Sequence, residues 1–553
     1  MTPQRAPVRP RVLGQIGEAI LLEEEILSLV GTGARGLVQL VGPTGSGKTV
    51  ALQHLAAVLP AEAGVRLVDD LLVAIANAPR SRLGVYATAL EVKRRCVAVY
   101  RLAPWGADEW IEYLLAVHRP ACASVMGRLR AAPDRGVLPP LPELWRIVLD
   151  EMAGDETVAG PRQALHRFLA RQVNDVVRQQ LVQSLCLTYL LNMGNAQTAV
   201  EEKLQRECYP ASVVRAIRHP EVQQVLAAEY LLSDLRAGAP CEYLEHRLPR
   251  ALVREVAARV ARNENALDHL RKLVSEGRPQ FRPMAASILH ATDTGWMPDG
   301  EGKLNLAGAY LDHAAWPYLR MAGANLREAD LSHAYLREAV LDGAIVGKAK
   351  LDHANLQGAS LVGLAASQAD LSYADLSLAK AERVRLDGAR LKGTNLEGAG
   401  LRRALLLWAD LSGACLAGAD LSEASLRGAS ITGADFSGAL LAGAQLPGLC
   451  LREAAFAGAL FAGADLTRCD LEYVQLPAAD FRGAALVGAY LTGSWMPETN
   501  FEGAILKNAG LADINWEGAS LRGADLRGAS FHAGSSRNGL VGSPIACEGS
   551  RTG

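Results

Sequence analysis

Residues 409–443 read ADLSG ACLAG ADLSE ASLRG ASITG ADFSG ALLAG, and this stretch decides the fold of everything around it. The same pentad continues in both directions. Every fifth residue from Leu306 to Phe531 is usually Leu or Phe, and two positions before it stands Ala in 35 of 46 cases. The exceptions, among them Thr394, Cys469, Ser494 and Thr499, are small or apolar, and no insertion breaks the register. A period of five fits neither the helix nor the flat strand, so each pentad forms one side of a coil.

A step of 20 residues gives the number of sides. Trp316, Phe436, Phe456, Met496 and Trp516 fall in one 20-residue column, and Met321, Phe461, Phe481 and Phe501 in another. Leu311-Asp312-His313, Leu331-Ser332-His333, Leu351-Asp352-His353 and Leu371-Ser372-Tyr373 repeat at the same interval, so four pentads close one coil. Ala and Leu or Phe point inward, Asp, Asn, Ser, Thr and Arg point outward, and Gly two places after the Leu eases each corner. The result is a rod roughly 55 Å long at the spacing of adjacent strands. The pattern resembles the pentapeptide-repeat family, A(D/N)LxG. That resemblance implies an all-β right-handed quadrilateral β-helix over residues 301–532, serving as a binding rod, and implies no reaction.

At 553 residues the chain has room for three or four domains. Half of it is apolar but only 5% is aromatic, because the array uses Ala and Leu. A net charge of -2 predicts no bulk attraction to nucleic acid or membrane. Nine scattered cysteines without a CxxC pair suit a reducing cytosol better than disulfides or a zinc site. The N-terminus has arginines without an apolar core, so it is not a signal peptide. The most apolar candidate helix, Leu181 to Met193, is short and carries Gln183, Ser184 and Thr188, which makes it a core helix rather than a membrane span.

Residues 1–35 read as a loose Pro/Arg-rich arm (1–13) followed by a helix over Ile16 to Val30 with an acidic cluster at Glu23, Glu24 and Glu25. Residues 36–117 read as an α/β nucleotide-binding domain. Leu37 to Val41 is a buried-strand run, then come Gly42, Pro43, Thr44, Gly45, Ser46, Gly47, Lys48 and Thr49, and a helical pattern continues through Leu59. This is the P-loop pattern GxxxxGK[ST] in its strand–loop–helix setting. Its glycines let backbone N–H groups curl around phosphate at a helix N-terminus. Lys48 is expected to reach the β- and γ-phosphates of ATP and the Thr49 hydroxyl to ligate Mg²⁺. Val65-Arg-Leu-Val-Asp69-Asp70 follows hhhhD[D/E], with Asp69 for the hydrated metal and Asp70 near the attacking water; Arg66 interrupts its apolar run. Asp70 stands where related ATPases often carry Glu, so the pattern favours binding over hydrolysis. Thr88 ends another strand, where additional-strand ATPases place a polar sensor of the γ-phosphate. Cys96 to Leu102 is a fifth-strand candidate, preceded by Lys93-Arg94-Arg95. A strand and helix usual in this superfamily are absent between Thr49 and Asp69, which a sheet edge tolerates. ATP is favoured over GTP by the lack of an NKxD motif.

Residues 118–300 read as helical, with a Pro-rich joint at Ala132 to Pro142. Leu141-Pro-Glu-Leu-Trp-Arg-Ile-Val-Leu149 and His219-Pro-Glu-Val-Gln-Gln-Val-Leu-Ala-Ala-Glu-Tyr-Leu231 resemble two helices of signal-transducing ATPases of the NACHT/STAND kind, with Gln224 where that pattern has Glu. Residues 533–553 are Gly/Ser-rich and read as a disordered tail. No amphipathic helix follows the last coil, so its edge is free to pair with another copy.

Outward positions carry recognition. Lys380, Arg383, Arg385, Arg390, Lys392, Arg402 and Arg403 form a basic band that runs into Leu405, Leu407 and Trp408, all placed facing solvent. An exposed aromatic beside aliphatics and arginines has the make-up of a protein-docking hot spot. His313, His333 and His353 stack in one column, a turn-position arrangement with a minor metal-binding alternative. The expected function is a cytosolic ATP-binding, slowly hydrolysing signalling or regulatory switch, a candidate ATPase, whose rod recognises a protein near 380–408. Two alternatives stand beside it: a DNA-mimicking topoisomerase-protection protein, or a scaffold with an inert nucleotide site. Mimicry of DNA needs a strongly acidic rod, whereas Gly302 to Phe531 hold about 25 acidic and 20 basic side chains.

Overall fold

The computed structural model describes residues 6, 8–13, 19–41, 48–63, 65–68, 83–88, 98–132, 138, 140–172, 219–239, 241–299, 304–531 and 551–552. The chain forms two compact units, Met1–Tyr230 and Leu231–Gly553.

The first unit is built on a parallel sheet. Strands β3 (Gly36–Val41), β4 (Arg66–Val68), β5 (Leu83–Thr88) and β6 (Ala98–Arg101) lie in the order β4-β5-β3-β6. Helix α2 (Lys48–Val58) lays Ala51, Leu52 and Leu55 against Val38 and Leu40 of β3 and Val85 of β5. Arg66 is exposed on edge strand β4, which explains how a charge is tolerated in that apolar run. Two expectations for the N-terminus are corrected. Arg11–Leu13 forms strand β1, paired antiparallel with β2 (Ala19–Leu21), and helix α1 begins only at Leu22 and runs to Gly31. The arm is tied down by charge: Arg9 bonds Glu23 at 2.8 Å, and Arg11 pairs with Glu109 and Glu112, each at 2.9 Å. Glu23, of the acidic cluster Glu23 to Glu25, is buried. Helices α3 (Ala107–Val117), α4 (Cys122–Ala131), α5 (Pro142–Gly154), α6 (Pro161–Gln172) and α7 (Pro220–Ala237) follow.

In the second unit, helices α8 (Arg250–Val260), α9 (Glu264–Ser275) and α10 (Arg282–Ala291) precede the repeat array. Bridges link strand-centre residues 20 apart, from Asn305↔Asn325 through Gly510↔Ser530, so four pentads make each coil. Each coil gives the next a regular set of bonds: Leu311 N–H to Asp330 O at 2.7 Å, His313 N–H to Ser332 O at 2.9 Å, and Asp330 N–H back to Ala309 O at 2.8 Å. The strand-centre Asp or Asn of the motif closes the corner. Asp370, Asn395 and Asp410 each accept the backbone N–H two residues on, at 3.0 to 3.1 Å. Positions ending in 3 or 8 take positive φ, 58° at Trp408 and 70° at Gly428, which is why glycine dominates there. Inward, Phe461, Phe481 and Phe501 stack with centroids 4.7 and 5.1 Å apart.

The open edge of the first coil is covered by the helical layer, which sequence did not anticipate. Tyr310 N–H donates to Ser287 Oγ (2.9 Å), His290 bonds Asp312 O (2.8 Å) and Trp316 Nε1 donates to Trp296 O (3.0 Å). Arg250 reaches Asp312 and Asp330 and lies over the Tyr310 ring. At the other end β7 (Ser530–Phe531) pairs in parallel with β8 (Arg551–Thr552). Arg551–Thr552, in the segment read as a disordered tail, therefore pairs with one side of the last coil, an edge that sequence left free to pair with another copy.

Candidate functional site

Strand β3 ends at Val41 and α2 starts at Lys48, so the glycine-rich octad spans the turn between the central strand and the helix packed on it. Gly42, Pro43, Thr44, Gly45, Ser46 and Gly47 lie outside the described residues, as do Asp69, Asp70 and Lys93 to Arg95. The strands leading to them share one sheet edge. Val41 is abreast of Thr88 on β5 and of Arg101 on β6, and Val68, the residue before Asp69, is abreast of Tyr86. Lys48 is half-buried and Thr49 exposed in the first turn of α2. The polar residues chosen from sequence thus follow neighbouring parallel strands.

Two further contacts lie in the first unit. His54, on the buried face of α2, accepts the Ala6 N–H at Nδ1 (3.2 Å) and holds Nε2 3.6 Å from Glu23. The helix that carries Lys48 is thereby joined to the N-terminal arm. The two segments read as signalling-ATPase helices also meet: His219 is buried, with Nε2 3.7 Å from Glu143 of α5.

On the array, Trp408 is 76% exposed and Leu405 38%, around fully buried Leu406. Leu407, placed facing solvent from sequence, is only half-buried rather than fully exposed. The basic band is more neutral than its composition. Glu423 holds Arg402 at 2.9 Å and Arg403 at 2.8 Å, Arg390 pairs with Asp370, and Arg385 approaches Asp387. The two guanidinium hydrogen bonds, Arg403 before Arg402, hold the Glu423 carboxyl down at about 2. Lys380, Arg383 and Lys392 have no ion pair among the described residues. Sequence also missed the seat of the aromatic. A Cβ at Gly428, one coil on, would fall 2.4 Å from the Trp408 ring, so the indole lies on bare backbone. The signal was available as an aromatic in a corner slot 20 residues before a glycine.

The histidine column forms as expected. His313, His333 and His353 stack at 4.9 Å with planes within 4 to 6°, and Tyr373 continues the pile at 5.2 Å. Among the described residues no group of three or more His, Cys, Asp or Glu side chains is arranged to hold a metal ion. Nor is any described helix long and apolar enough to cross a membrane.

A family model for pentapeptide repeats matches eight times between residues 305 and 533. Among solved structures, HetL, a pentapeptide repeat protein involved in heterocyst differentiation regulation from the cyanobacterium Nostoc sp. strain PCC 7120, is 32% identical; the match covers 39% of this chain and 90% of HetL, with a TM-score of 0.16. QnrB1, a plasmid-mediated fluoroquinolone resistance protein, is 21% identical over 34% of this chain and 91% of its own, with a TM-score of 0.20. A pentapeptide repeat protein of the Arabidopsis thaliana thylakoid lumen is 30% identical over 20% of this chain and 61% of its own, at a TM-score of 0.11. No curated protein matches.

Proposed function

Through residues 305–533 the chain belongs to the pentapeptide-repeat family, and from that premise we propose an ATP-binding regulatory protein whose repeat array is its protein-recognition surface. The observation that carries the nucleotide half is the octad Gly42–Thr49 between central strand β3 and helix α2, in a parallel sheet ordered β4-β5-β3-β6. In that setting the backbone of residues 42–47 would cradle the phosphates, Lys48 would reach the β- and γ-phosphates, and Thr49 with Asp69 would hold Mg²⁺. Asp70 and Thr88 would face the γ-phosphate, and turnover would be slow. The likeness of residues 141–149 and 219–231 to signalling ATPases supports a switch, and the His219–Glu143 contact joins those two segments. In the array, Trp408 and Leu405 supply an apolar anchor on a band that also carries the cations Lys380, Arg383 and Lys392, suited to an acidic protein surface.

The test is calorimetric titration of Mg-ATP into the full chain and its Lys48→Ala variant. Binding by the parent and its loss in the variant, with the thermal transition of the array unchanged, is the expected outcome. Equal affinity in both would remove the nucleotide site from the loop.

A further inference from the structure

We propose that the distal part of the array carries a second docking surface, of opposite charge to the first, which takes a cationic, Arg- or Lys-bearing peptide segment on the corner around Gly493. This inference does not depend on the nucleotide reading or on the Trp408 band.

Tyr473, Tyr490 and Trp495 are 69%, 55% and 45% exposed, in a chain where aromatics make up 5% of residues. Their placement follows from the register. Tyr473 and Gly493 share one corner column, 20 residues apart; Tyr490 and Trp495 occupy strand centres on the two sides that meet at Gly493. A Cβ at Gly493 would stand 2.5 Å from the Tyr473 ring, so that ring lies against bare backbone instead of swinging free. None of the three contributes to the interior, where Phe481, Leu491 and Met496 already fill the inward slots.

Charge selects the occupant. From residue 454 to Ser530 the two sides that meet at this corner present Asp470, Glu472, Glu498, Asp513 and Glu517, while the cations on the far flank of the Tyr490 side are Lys507 and Arg527, both held by Asp525, and Arg468 one coil before. Arg452, one coil before, is consumed by Asp470 and Glu472. Glu498, Asp513 and Glu517 are exposed and have no ion pair among the described residues. Acidic residues alone would be a solvated face, and exposed rings alone would fit many partners. Rings flanked by unpaired carboxylates favour a guanidinium or ammonium group laid on an aromatic face, with the carboxylates meeting the remaining donors. Nucleic acid is excluded by the same charge. A β-strand added edge-on is excluded because the strand N–H and C=O groups here are already spent between coils, as in Tyr490 N–H to Cys469 O and Trp495 N–H to Val474 O.

The probe is a fluorescein-labelled peptide of alternating Arg and Ala, titrated into the full chain and followed by anisotropy. Three variants separate the causes: Tyr490→Ser with Trp495→Ser; Glu498→Gln with Asp513→Asn and Glu517→Gln; and Glu328→Gln with Glu382→Gln and Glu397→Gln as a charge-matched control elsewhere on the array. The first two are expected to weaken binding about tenfold or more, and the control less than about twofold. A single reversal, Asp513→Lys, is expected to act in the same direction and serves if a multiple variant loses its native thermal transition. An equal loss in the control would reduce the effect to net charge. Retention of parental affinity by the aromatic variant, or no binding by the parent at millimolar protein, would overturn the proposal.

Discussion

Thr394, Cys469, Ser494 and Thr499 occupy the inner slot usually held by Ala, and each donates to the carbonyl 23 residues earlier at 2.6 to 2.9 Å. A polar side chain is admitted to the interior only with that partner, as the cost of an unpaired buried group requires. Burial also pushes the Cys469 thiol up to about 12, so it stays protonated and inert. At the surface, single residues set the character of the Trp408 band. Gly428→Ala would put a methyl into the Trp408 ring at φ +70°, where an L side chain costs roughly 1–2 kcal/mol. We expect the variant to lose about that much stability in urea titration and the indole to become more accessible to acrylamide quenching. Glu423 provides a pH test. Its folded carboxyl lies near 2 against an ordinary 4.5, so the clamp on Arg402 and Arg403 is fully present above pH 4.5 and is lost as pH falls through about 2. Side-chain NMR of Glu423 is expected to show that low midpoint; a midpoint near 4.5 would mean that the arginines are free.

Among elements, the array's interior is uneven. Aromatic rings stack from Phe436 onward, whereas the proximal coils enclose a narrow apolar channel of about 20 Å³ lined by Leu341, Leu361, Ala381 and Leu401. Ala381 stands in a slot that Leu fills one coil before and one coil after. Ala381→Leu adds three carbons to a space that holds about one water, so it is expected to lower stability by about 1–3 kcal/mol. Calorimetry decides the matter, since a higher melting temperature would show that the channel admits the added carbons. The array's sides, corners and inward slots were legible in sequence because a strict period of five leaves each residue one environment. The helical layer over the first coil was not, because its contacts join Ser287 to Tyr310 and Arg250 to Asp312 and Asp330 through no repeated pattern. The arm escaped for a similar reason. Arg9 and Arg11 look solvated until Glu23, Glu109 and Glu112, distant in sequence, come to them.

For the whole molecule, the proposed nucleotide site was legible as the octad Gly42 to Thr49, which runs from the end of central strand β3 into helix α2; Mg-ATP titration of Lys48→Ala tests it. The array permits a different deduction. Where bridges join its coils they advance by 20 residues, from Asn305 to Ser530. Length and heading are thus coupled by simple counting. Removing 20 residues shortens the rod by one storey and leaves every later side chain facing as before. Removing five swings everything downstream through a quarter turn, carrying the Tyr490–Trp495 corner round relative to Trp408 while the stacked rings within the distal part stay aligned. Removing three satisfies neither closure. Deletion of 424–428 is accordingly expected to keep a cooperative melting transition and deletion of 424–426 to abolish it. A duplication or loss in units of five would let such a protein re-aim one surface against the other without redesigning either.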